Sequence, residues 1–304
     1  MNKKIAKGLV QVGIYLLVFI VIQIVVMQVV GICSLLAQGF NASEIVTRMT
    51  DGSMLSDGKT LCIFFAINAV LASLLFVRRG WAPVSRSYLQ SRPWAMLFWV
   101  VILSLGTLIP FAFIEELTDV QMPEATLRAF SAMLREPVSY AVLGVLVPLA
   151  EELVFRGAIL RTLLTLTHRR YHWVAIAISA VLFAAVHGNL AQMLHVVPMG
   201  LLLGWLYYRT DSIVPGVIMH SINNSAVYII TNLVTANPEA RLIDVFGTQQ
   251  HVWMAVGFSL CLFIPALFQL AVRLKKAESH QQPQTKRGID GCRYPAWHIR
   301  LLNQ

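Results

Sequence analysis

Eight stretches of this chain, at about 8–34, 60–77, 94–114, 138–160, 173–190, 194–209, 212–234 and 252–273, are apolar almost without interruption. A bilayer core of about 30 Å is crossed by about 20 apolar residues in a helix, and only helices and closed barrels satisfy their own backbone amides there. The pattern predicts an all-α, polytopic membrane protein with about eight transmembrane helices. Composition agrees: 57% of the 304 residues are hydrophobic and 13% charged, and the mean hydropathy is +0.67, which leaves too little polar surface to cover a soluble domain. The fifth and sixth runs are short, and the tight loop around Gly188 and Asn189 between them predicts a helical hairpin.

The charges decide how these runs are threaded. A net charge of +9 would suit nucleic-acid binding in a soluble chain, but here the basic residues flank the apolar runs and act as topology determinants, so no nucleic-acid partner is expected. Arg78, Arg79, Arg86 and Arg92 lie between runs two and three, Arg161, Arg169 and Arg170 follow run four, and Arg273, Lys275, Lys276, Lys286 and Arg287 follow run eight. With Lys3, Lys4 and Lys7 before a retained first span, all fall on one side if the chain alternates from a cytoplasmic N-terminus. Glu44, Asp51, Asp57, Glu115, Glu116, Asp119, Glu124, Glu239 and Asp244 occupy the opposite loops. The expectation is a multi-pass protein of the plasma (inner) membrane with both termini cytoplasmic: a single transmembrane domain over 1–276 and a flexible cytoplasmic tail over 277–304. Leu127, Phe130 and Leu134 predict a short helix lying in the interface between Pro123 and Pro137. Cys33, Cys62, Cys261 and Cys292 form no CxxC pair and read as buried apolar thiols rather than a disulfide framework or thiolate metal site.

Against this background the segment Pro148–Gly157, PLAEELVFRG, stands out, because it places Glu151, Glu152 and Arg156 inside the fourth span. Ionised side chains near a bilayer centre cost about 2.5–3.5 kcal/mol each on insertion scales. Glu152 and Arg156 are four apart and can pair on one helix face, which lowers that cost. Glu151 is turned about 100° away and needs a partner on another helix. Candidates are His187 in the fifth span and His220, Asn223 and Asn224 in the seventh, with His220 and Asn224 on one face. Gln11, Gln23 and Gln28 in the first span read as interhelical packing glue.

A carboxylate, two imidazoles and an amide on three helices, at depths within about 10 Å of one another, form a kit for hydrolysis. The carboxylate and an imidazole deprotonate a water. A second imidazole and the amide donate to the oxyanion formed when that water attacks a carbonyl. Glu151, His187 and His220 are also chemically suited to Zn²⁺, a weaker alternative because the asparagine fits an oxyanion donor better than a zinc ligand. There is no HExxH zinc helix, no GxSxG elbow and no GxGD aspartyl pair. A proton-coupled carrier would use the same residue types, but the chain shows no internal repeat.

Three motifs in order carry a resemblance. Glu151-Glu152-Leu-Val-Phe-Arg156 fits EExxxR, Phe183-Ala-Ala-Val-His187 fits FxxxH, and His220-Ser-Ile-Asn-Asn224 fits HxxxN. In order and spacing they resemble the CPBP family of CAAX proteases and bacteriocin-processing enzymes, also called the ABI family, over residues 138–230. The resemblance implies a four-helix catalytic core and a metal-independent glutamic intramembrane endopeptidase without a cofactor, acting on a membrane-associated protein or peptide in the lipid bilayer. It implies Glu151 as general base polarising a water with His187, His220 and Asn224 as the oxyanion site, and Glu152 and Arg156 as bracing residues, with Phe183 completing the second motif. A non-catalytic membrane adaptor or bacteriocin-immunity protein on the same fold is the alternative.

Overall fold

The computed structural model describes residues 3–281 apart from 52, 56, 85, 86, 119, 168 and 236–239, and no strand occurs among the described residues. Its principal helices are α1 (Lys3–Ala37), α2 (Ala42–Thr50), α3 (Gly58–Arg78), α4 (Trp94–Leu117), α5 (Glu124–Leu134), α6 (Ser139–Leu166), α7 (His172–Ala185), α8 (Leu190–Thr210), α9 (Val214–Ile229) and α10 (Gln249–Gln281). Each of the eight apolar runs is therefore helical over most of its length, the fifth ending as helix at Ala185. Five helices, α1, α3, α4, α8 and the part of α10 to Leu274, are each long and apolar enough to cross a membrane, and α5 with α6 makes a sixth if that bent pair counts as one span. At 14 residues α7 is shorter, about 21 Å long, and α9 gains length from a π-helical turn, Ile230–Thr235. Arg86, Asp119, Glu239 and residues 282–304, with Lys286, Arg287 and Cys292, lie outside the described residues. Of the described thiols expected to be buried only Cys62 is; Cys33 and Cys261 are exposed on the outer faces of α1 and α10, where an apolar thiol can face lipid. The expected tail starts inside α10, which continues as helix to Gln281.

The centre of the bundle is α6. Every residue from Leu153 to Leu160 is buried, as expected of a helix surrounded by others rather than facing lipid on one side. It packs against α1, α3, α7, α8 and α9. The apolar faces of α1 and α10, with Leu17, Val25 and Val29 on one and Phe258, Ile264 and Phe268 on the other, are exposed as lipid-facing surfaces should be. Two parts of α6, Val142–Leu146 and Leu153–Leu160, are wound as π-helix, a local widening common where a helix carries function.

Small residues let the helices approach closely. At Gly106 on α4 a Cβ would stand 2.6 Å from the backbone nitrogen of Phe263 on α10, and Ser259 donates to the Gly106 carbonyl at 3.3 Å. The α7–α8 hairpin turns through Gly188 at φ +72°, with Asn189 capping α8 by accepting from the Gln192 amide at 2.9 Å. The expected interfacial helix is α5. It meets α6 at 110° and buries Met133 and Leu134 against the bundle.

Candidate active site

Glu152 and Arg156 are both completely buried, and Arg156 Nη1 donates to Glu152 Oε1 at 2.8 Å. Arg156 Nη2 reaches the Gly200 carbonyl on α8 at 3.3 Å, and its guanidinium lies over the Phe183 ring at 4.4 Å. The arginine thus ties α6 to α7 and α8. Gly216, at the start of α9, is held against the same carboxylate, since a Cβ there would stand 2.6 Å from Glu152 Oε2.

His220 sits between the two glutamates. Its Nε2 is 3.6 Å from Glu151 Oε2 and its Nδ1 is 3.5 Å from Glu152 Oε1. The partner that Glu151 needs on another helix is therefore His220 of α9. The ring is nearly buried, whereas the Glu151 side chain keeps 15% of its surface accessible. That surface opens on a cleft lined by Phe19, Gln23, Phe65, Asn68, Ala69, Val147 and Ala150.

Phe183, near the end of α7, and His187, in the turn just after it, lie beside this group. His187 Nδ1 is 2.9 Å from the Phe183 carbonyl, and the Phe183 ring meets the rings of His187 and His220 edge-on, with centroids at 5.2 and 5.7 Å. Asn224 donates from Nδ2 to the Leu143 carbonyl, in the first π-wound part of α6, at 3.0 Å. The structure brings Glu151, Glu152, Arg156, Phe183 and His220 into one cluster, with His187 at its edge and Asn224 one turn along α9 from His220. Among the described residues no three His, Cys, Asp or Glu side chains converge as a metal-ligand group.

Several neighbours escaped the sequence reading. Asn68 is a buried amide in the middle of α3; a lone asparagine within an apolar span was the available signal. His195 on α8 has its Nδ1 3.7 Å from Glu115 Oε2. Glu115, assigned above to a loop, lies instead in the last turn of α4 and faces His195 of α8. Of the glutamines assigned to packing, Gln11 donates to the Tyr15 hydroxyl at 2.6 Å on its own helix, while Gln23 lines the cleft beside Glu151.

Residues 133–226, from the end of α5 to α9, match the family model described as type II CAAX prenyl endopeptidase, Rce1-like. This segment of the chain is similar to that family. The Rce1-like segment contains the whole of the Glu151–His220 cluster, and α1, α3, α4 and α10 lie outside it. A curated relative, the UPF0177 protein YxdF of Lactococcus lactis subsp. lactis (strain IL1403), is 35% identical over 81 residues, which is 26% of this chain and 42% of the relative. The match thus spans less than half of the relative's length. No solved structure matches the chain.

Proposed function

We propose that this multi-pass membrane protein is an intramembrane endopeptidase of the glutamic, metal-independent kind, acting on a membrane-tethered peptide such as a prenylated CAAX sequence. The observation that carries the reading is the meeting of Glu151 and His220, from α6 and α9, at a cleft within the Rce1-like segment. Glu151 takes a proton from a water that His187 helps to orient, and the hydroxide oxygen bonds to the scissile carbonyl carbon. The carbonyl π pair moves to oxygen, where His220 and Asn224 donate to the oxyanion. As the intermediate collapses the C–N bond breaks, and Glu151 returns its proton to the leaving amine. Glu152 and Arg156 hold α6 and His220 in register for these steps.

Both termini are proposed to face the cytoplasm, consistent with Arg78 and Arg79 at the end of α3, Arg161 in the last turns of α6 and Arg273 near the end of α10. Reporter fusions at each end test this. The activity is tested with purified protein in liposomes, a farnesylated CAAX peptide and H₂¹⁸O. The expected result is chelator-insensitive cleavage with one ¹⁸O in the new carboxylate. Absence of cleavage by folded protein across such peptides would contradict the reading and favour a non-catalytic adaptor.

A further inference from the structure

The cleft beside Glu151 holds a polar group that the reaction just described does not use. Asn68 on α3 is only 5% exposed, and its Oδ1 has no hydrogen-bond partner among the described residues. A buried amide oxygen left unpaired costs about 1–3 kcal/mol. In the same cleft lies Gln23 of α1, whose amide offers both a donor and an acceptor. Phe19, Phe65, Ala69 and Val147 supply the rest of the wall, and Glu151 stands at its edge.

A peptide cut inside a membrane has the complementary problem. Its scissile carbonyl has to be presented in an extended stretch, and each residue held extended there has an N–H and a C=O that lipid cannot satisfy. We propose that Asn68 and Gln23 form a substrate subsite for one extended residue next to the scissile bond. Asn68 Oδ1 accepts that residue's backbone N–H, the Gln23 amide donates to its C=O, and its apolar side chain lies against Phe19 and Phe65. The subsite rests on the endopeptidase reading but lies on α1 and α3, outside the Rce1-like segment.

The test compares wild type, Asn68→Leu and Asn68→Ser in nanodiscs, using a farnesylated CAAX peptide with a photoreactive residue beside the scissile bond. Half-saturation of labelling, KM, kcat and the unfolding midpoint are read for each. Leu has nearly the shape of Asn without its amide, so the subsite predicts that half-saturation and KM rise about tenfold, the loss of one or two hydrogen bonds. The midpoint stays the same or rises, because an unpaired buried oxygen is gone, and Ser, which retains an acceptor, falls between. Half-saturation unchanged in Asn68→Leu, a lowered midpoint that marks Asn68 as a structural residue, or failure of wild type to be labelled each overturns the subsite. Asn68-dependent labelling without cleavage would support the subsite while contradicting the protease reading, and cleavage with unchanged KM in Asn68→Leu would do the reverse.

Discussion

Replacing Arg156 by Met leaves the Glu152 carboxylate in a completely buried site with its main partner removed. The wild-type pair is 2.8 Å long with neither side chain accessible. Glu152 Oε2 already lacks a partner among the described residues, so Oε1 would be left with only His220 Nδ1 at 3.5 Å. Breaking a buried pair from one side costs about 3–5 kcal/mol, whereas replacing both partners with apolar side chains is often close to neutral. Loss of the 3.3 Å contact to Gly200 and of the Phe183 stacking adds to the cost of the single change. Equilibrium unfolding in mixed micelles is expected to show a loss of about 3–5 kcal/mol for Arg156→Met, with most of it restored in Glu152→Leu/Arg156→Met. A single variant within about 0.5 kcal/mol of wild type, the range of ordinary surface changes, would refute the claim that this pair holds α6 in place.

Other positions give sharper local tests. Gly106→Ala forces a Cβ to 2.6 Å from the Phe263 backbone nitrogen, and unfolding measurements should show a loss of about 1–3 kcal/mol from overpacking between α4 and α10. Gly216→Ala pushes on Glu152 Oε2 at 2.6 Å, so cleavage should fall with the Glu152–His220 geometry, read as lower kcat at similar protein levels. Asp57 caps α3 by accepting from the Thr60 hydroxyl and the Thr60 and Lys59 amides, and the Thr60 hydroxyl first among these holds its carboxyl below the ordinary 3.8. A lowered folded-state pKa stabilises above the unfolded value and is lost as pH falls through the folded one. An acid titration of the unfolding midpoint should thus lose a component below about pH 4 in wild type and lack it in Asp57→Ala, which costs about 1 kcal/mol at neutral pH.

The apolar runs were legible because length and hydropathy alone specify a membrane helix, and the pairing of Glu152 with Arg156 followed from a four-residue spacing. The Gly188–Asn189 hairpin was legible for a similar reason, a glycine and a capping side chain between two apolar helices. What sequence does not encode locally is which helices meet. Nothing near Asn68 or Gln23 announces that α1 and α3 face Glu151, and nothing near Glu115 points to His195, some 80 positions further along α8. The same limit kept the histidines apart. Spacing put His220 and Asn224 on one face, but only the crossing of α6 and α9 sets His220 beside both glutamates while Asn224 reaches the Leu143 carbonyl. The π-wound parts of α6 were invisible too, since a one-residue change in backbone register leaves no compositional trace.

The most direct test is kcat for Glu151→Gln on a farnesylated CAAX peptide, read beside the unfolding midpoint of the same preparation. Gln keeps the shape and hydrogen bonds of Glu151 but cannot take a proton from water, and a positioned general base contributes about 10²–10⁴-fold. The account predicts a fall of at least about 100-fold in kcat with the midpoint unchanged; a Glu151→Gln protein that cleaves at the wild-type rate would contradict it.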